Sequence, residues 1–185
     1  MKQVTIEVPE GKKTEWREVD GLMTLVMVDE QAQDTRPVTE RIKTVEDALR
    51  SLGTSEEDIP DFFNKFESLG NDVVVYMKLR VIAEALNEGW KPSFTVNEYR
   101  WYPWFVFYTK DEIHNMDKEE RKRLWLIGGY SYDGSVCGLA YSGSSDAWSI
   151  ANSNVSARLA VKSEELADYF GKQFIGIWAD YVYWK

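Results

Sequence analysis

The chain has 185 residues, of which 44% are hydrophobic and 14% aromatic, and carries a formal charge of −9. That length and apolar content suffice for one packed domain with an appendage, and they argue against a disordered chain. The negative balance argues against a nucleic-acid backbone or an anionic membrane as main partner, and the single cysteine, Cys137, excludes an internal disulfide framework and a Cys-rich zinc site.

From the amino terminus, Val4 to Val8 alternates and is rich in β-branched residues, which predicts a strand broken by Pro9-Glu10-Gly11. Thr14 to Val19 predicts a second strand, Asp20-Gly21 a hairpin turn, and Leu22 to Val28 a third strand. Such a meander cannot bury two faces alone and must pack on something, in its own chain or in a neighbour. Asp29 to Val38 reads as a linker. The expected domains are therefore 1–35, an N-terminal β-meander and linker, and 36–185, an α+β main domain. Residues 1–70 hold nine Lys and Arg against sixteen Asp and Glu, so most of the acidic surplus lies there, as a solubilising surface.

A short helix is expected from Val38 or Thr44 to Leu52, stopped by Gly53, and Thr44-Val45-Glu46-Asp47 resembles a capping box with Asp in the place of Glu. A second short helix is expected over Pro60 to Leu69 behind the acidic turn Ser55 to Asp58. Asp72 to Glu88 is the main helix. Val75, Leu79, Ile82 and Leu86 form its stripe, apolar flanks widen the arc, and Gly89 ends it.

The stretch Tyr99 to Tyr108 follows, with seven aromatic residues in ten and Arg100 as its one charge. Aromatic side chains bury about 150–250 Å² each, so this cluster is either a core or a contact surface. It reads as a strand in which Pro103 requires a bulge, an edge position or a bend. Thr109 to Glu112 and Asp117 to Glu120 are two consecutive capping boxes, the second opening a helix to about Ile127. From Gly128 to Ser156 the composition turns to Gly, Ser, Tyr, Asn and Asp, predicting short strands joined by tight turns. Arg158 to Val161 reads as a strand. Ser163 caps a closing helix striped by Leu166, Phe170, Phe174, Ile177 and Trp178, and Tyr181 to Trp184 reads as a final strand. The fold class expected is α+β: a mixed or antiparallel sheet packed by two main helices, with the small N-terminal β-meander beside it.

Four stretches carry a resemblance: Val4 to Lys12, Leu79 to Trp90, Tyr102-Pro103-Trp104-Phe105, and Ala157 to Phe174. Together they resemble a family of uncharacterised proteins encoded in gut bacterial genomes and in phages or mobile elements. The resemblance spans nearly the whole chain and implies a phage or mobile-element setting. It brings no activity, cofactor or catalytic residue with it.

Chemistry is thinly represented. The single His114 lies between two capped helices, where a solvated residue near a helix end is the simpler reading than a catalytic one. A nucleophilic pair of Cys137 with His114 has no local signature. No calcium-loop spacing occurs, Asp133-Gly134-Ser135 reads as a turn, and Gly128-Gly129 lacks the Gly-Lys-Ser/Thr of a phosphate loop. No catalytic residue, metal or cofactor is expected. The pairs Glu119-Glu120 and Glu164-Glu165 are explained by helix first turns.

Binding is the better case. Tyr130, Tyr132, Tyr141 and Trp148 stand among Gly, Ser, Asn and Asp, a mixture that makes adaptable contact surfaces. The competing reading is that they complete the core begun by residues 99–108. The candidate ligand-binding residues are Trp101, Trp104, Tyr132, Tyr141, Trp148 and Arg158, the last because a buried Arg needs acceptors. The expected function is that of a non-enzymatic phage or mobile-element accessory protein binding a protein or glycan partner. The alternative is a small hydrolase or transferase using carboxylates that the fold brings together. No signal peptide or run of about 18 apolar residues is seen, so a soluble cytoplasmic protein is expected, with virion association as the variant. The oligomeric state is not encoded in these motifs.

Overall fold

The computed structural model describes residues 5–19, 21–29, 34–93, 95, 97–124, 127–132, 135–148 and 158–182. The chain divides into two compact units, Met1–Arg36 and Pro37–Lys185.

The first unit is a two-stranded antiparallel hairpin, β1 (Lys12–Val19) and β2 (Leu22–Asp29), in the register Trp16↔Leu25 and Val19↔Leu22. The expected three-stranded meander is corrected: residues 5–9 lie outside any strand. Pro9 cannot donate to a ladder, and its carbonyl instead accepts from the Lys12 N–H at 3.1 Å.

The second unit sets helices against a three-stranded antiparallel sheet, as the α+β reading predicts. Its short helices α1 (Val38–Arg41) and α2 (Val45–Ser51) are followed by α3 (Asn64–Glu67), one turn where a ten-residue helix was expected. The capping box of α2 is present with Asp: the Asp47 N–H donates to Thr44 Oγ1 at 3.1 Å and the Thr44 N–H to Asp47 Oδ2 at 3.0 Å. Helix α4 (Asn71–Asn87) is the backbone of the core, with Leu79, Ile82, Ala83 and Leu86 fully buried. It ends on Glu88 in the left-handed region, followed by Gly89 at φ 83°.

The aromatic stretch is β3 (Tyr99–Tyr108). Then come α5 (Lys110–Asn115), α6 (Lys118–Arg123), β4 (Ile127–Tyr132) and β5 (Ser135–Trp148), with sheet order β3-β5-β4. Two expectations change here. Helix α6 stops before Ile127, which opens β4, and the Gly/Ser/Tyr segment supplies most of the short β4 and the whole 14-residue β5 where short strands joined by tight turns were expected; its residues 133–134 and 149–156 lie outside the described residues. The closing helix is two: Ser163 caps α7 (Glu164–Gln173), Phe174 leaves helical geometry, and α8 (Ile175–Val182) follows. The indole Nε1 of Trp178 donates to the Phe170 carbonyl at 3.2 Å, across that break. Tyr181 and Val182 belong to α8, so the strand expected from Tyr181 does not form there, and Tyr183 and Trp184 lie outside the described residues.

Residues 158–161 are likewise no full strand. Val161 alone bridges Trp101, the N–H of each donating to the carbonyl of the other at 2.9 and 2.8 Å. The flanking groups turn to Asn87: its Nδ2 donates to the Ala160 carbonyl at 2.9 Å, and its Oδ1 accepts the Lys162 N–H at 3.0 Å. A buried side-chain amide thus stands in for a neighbouring strand and ties the end of α4 to the sheet edge.

Candidate functional site

Proline 103 is accommodated because of where β3 lies. The N–H and C=O of Trp101 point to Val161, away from β5, and residues two apart in a strand point their backbone groups the same way. The missing N–H of Pro103 therefore falls on the outer side, where β5 demands nothing. The bulge that compensates register lies in β5, where Gly143 pairs Trp104 and Tyr141 pairs Phe105, leaving Ser142 as the extra residue.

Alternation then sorts the aromatic stretch into two faces. The inner face carries Trp101, Pro103 and Phe105. Trp101 packs on the main core, and Phe105 joins it to Leu139, Tyr141, Ile175 and Ala179. Its ring lies 5.2 Å from Trp178 and 6.2 Å from Tyr141, and Trp178 lies 4.9 Å from Phe170. Core and contact surface are thus not alternatives for this segment. One face is core.

The outer face carries Tyr102, Trp104 and Val106. Trp104 is 53% exposed and Val106 39%, and the Tyr102 and Trp104 rings stand 6.1 Å apart, tilted by 47°. Their cross-strand partners are Ser145 and Gly143. A Cβ added at Gly143 would meet nothing within 4 Å, so open space lies beside the indole. Ser142 is exposed along the same stretch of β5, whereas Asp146, also exposed, pairs Trp101 and so belongs to the opposite face. The result is a shallow aromatic platform with a floor of small residues and hydroxyl groups nearby.

On the inner side a polar cluster fastens α7 to β5. The Tyr141 hydroxyl donates to the Asp168 carboxylate, Lys172 Nζ donates to Asp168 Oδ2 at 3.2 Å, and Nζ also lies 4.8 Å from the centre of the Tyr141 ring. Burial, then the hydrogen bond to Asp168, push the Tyr141 phenol far above its ordinary value. Burial would raise Asp168 as well, but the bonds from Tyr141 and Lys172 outweigh it and hold the carboxyl below its ordinary value. A phenol that stays neutral beside a carboxylate that stays ionised is a fastening, and it is poorly suited to proton transfer.

The predicted site residues are therefore scattered. Trp104 is on the platform; Trp101 and Tyr141 are on the opposite, α7-facing side; Arg158 is exposed in a turn beyond the sheet. Tyr132 and Trp148 take their places in β4 and β5, and their side chains lie outside the described residues. Tyr102 is the platform residue that sequence reasoning passed over. The signal was present: Tyr102 and Trp104 are two apart in a strand, whereas Trp101 and Trp104 are three apart and must face opposite ways. Among the described residues no group of three or more His, Cys, Asp or Glu could hold a metal ion, and no helix is long and apolar enough to cross a membrane. His114 is exposed on α5.

Compared with known proteins, the chain matches no family model, no curated protein and no solved structure.

Proposed function

We propose that the protein is a binding module that receives a glycan on the outer face of β3, with Trp104 as the stacking ring. The observation that carries this reading is the half-exposed indole of Trp104 beside Tyr102 and above the open space at Gly143. A pyranose presents an apolar face of about the right width to stack on an indole, and its hydroxyls would meet the hydroxyl groups of Ser142 and Ser145. Aromatic side chains with one wet edge suit such contacts because they offer area at little conformational cost. A protein partner inserting a flat side chain is the other outcome of the same test.

The resemblance described above supports a phage or mobile-element setting for this activity, as an accessory protein. The hydrolase alternative calls for a carboxylate raised toward neutrality. Glu88, Glu112, Glu165 and Asp168 all move the other way, each held down by hydrogen bonds.

Titration of the protein against a glycan panel by calorimetry tests the proposal. At least one oligosaccharide is expected to bind, with affinity lost in Trp104→Ala and retained in Trp16→Ala. Absence of binding across the panel, or binding indifferent to Trp104→Ala, would overturn it.

A further inference from the structure

The hairpin carries a second, independent surface. Trp16 is 64% exposed, Met23 64% and Met27 46%, and the register places all three with Leu25 on one face. An isolated two-stranded hairpin is marginal in water, and a third strand or more is needed to make such a face stable. Among the described residues β1 pairs with β2 alone, so its outer edge is available.

The polarity of that edge follows from the turn. Two residues separate the facing pair Val19 and Leu22, which makes that pair the hydrogen-bonded one and directs Glu15 and Arg17 toward β2 as well. The alternate residues Thr14, Trp16 and Glu18 aim their N–H and C=O groups outward. Lys12 agrees with this phase, since its N–H goes to Pro9.

We propose that this edge pairs with a second copy of the chain, β1 against β1 in antiparallel register with Trp16 opposite Trp16 on the twofold axis. Charge complementarity selects both the partner and the register. With Trp16 on the axis, Glu15 of each copy stands opposite Arg17 of the other, Thr14 opposite Glu18, and Lys13 opposite Val19, so no like charges meet. Shifting by one step to put Thr14 opposite Trp16 keeps the hydrogen-bond phase but sets Lys13 against Arg17 and Glu15 against itself. Within one copy Glu15 and Arg17 already form an exposed ion pair at 3.0 Å, which dimerisation exchanges for two pairs across the axis. The four-stranded sheet so formed brings Trp16, Leu25, Met23 and Met27 of both copies onto one face, with Thr14 and Glu18 of opposite copies side by side among them. The contact is isologous and closes.

Sedimentation equilibrium of the full chain over a concentration series tests this. A monomer–dimer equilibrium is expected, weakened roughly tenfold by Glu15→Arg, which sets two Arg pairs opposite each other, and restored in the swapped double variant Glu15→Arg/Arg17→Glu. These side chains are exposed, so folding is not at stake. A monomer at the highest concentration, a dimer indifferent to Glu15→Arg, or a loss that the double variant fails to restore would each overturn the proposal. Glycan binding at Trp104 is independent of every one of these outcomes.

Discussion

Gly171 sets the distance between α7 and the sheet. A Cβ there would lie 2.6 Å from two atoms of the Tyr141 ring and 2.7 Å from Pro103 Cβ. Neither neighbour can yield easily, because Pro103 is held in β3 and Tyr141 is fastened to Asp168. Alanine would add about 1 kcal/mol of helix propensity, against roughly 1–3 kcal/mol for overpacking. Gly171→Ala is therefore expected to lower stability by up to about 2 kcal/mol in urea unfolding, the reverse of what propensity alone predicts. Tyr169 offers a test by pH. Its hydroxyl donates to the Ile42 carbonyl at 2.7 Å, and burial, with Asp47 nearby, raises its pKa from 10.0 to about 12. A pKa raised on folding contributes stability that is complete below pH 10 and is lost as pH rises toward 12. Tyr169→Phe is expected to cost about 1 kcal/mol at neutral pH and to flatten the fall in stability between pH 10 and 12. Tyr141, raised in the same direction, leaves part of that slope in place.

At the scale of elements, the joint between α4 and the sheet rests on one side chain. Asn87 satisfies the Ala160 carbonyl and the Lys162 N–H, while Glu88, held below its ordinary pKa chiefly by its bond from Lys162, reaches both Lys162 and Arg41. Removing the amide strands the buried Ala160 carbonyl, worth roughly 1–3 kcal/mol, and the Lys162 N–H, which water can partly reach and which costs about 1 kcal/mol, so Asn87→Ala is expected to cost about 2–4 kcal/mol by denaturant titration. Exposed ion pairs contribute little by comparison, and Glu88→Gln is expected to cost under about 1 kcal/mol. This joint was not legible in the sequence. Asn87 sits in a polar patch of an otherwise apolar helix and reads as solvated, because its partners lie more than 70 residues away. The elements with local signals were legible: the capping boxes at Thr44 and Thr109 and the stripe of α4 stand where the pattern puts them. Strand continuity was not. Glycine and serine in β5 read as turns, yet pairing with β3 on one side and β4 on the other holds them extended. The break at Phe174 was hidden as well, since an unbroken apolar stripe continues across it and the Trp178 indole that bridges it is a long-range partner.

On the scale of the molecule, the chain is two units with different logic. Pro37–Lys185 closes a core from α4, α7, α8 and the inner face of β3, and leaves the outer face of the same strand bare at Trp104. The unit Met1–Arg36 holds a hairpin with an apolar face larger than two strands can shelter. Composition anticipated an aromatic excess, and it is divided between packing and display by strand alternation. In the function proposed here, the exposed Trp104 meets the ligand while Trp101, Pro103 and Phe105 pack inward. The most direct measurement is a two-dimensional NMR spectrum of the tryptophan indole N–H groups, recorded with and without the glycan panel and assigned through Trp104→Ala. A binding glycan is expected to shift the Trp104 indole and to leave the Trp178 indole, bonded to Phe170, unmoved. A Trp104 resonance that no glycan moves, or shifts that persist elsewhere when Trp104 is replaced, would contradict the proposed function.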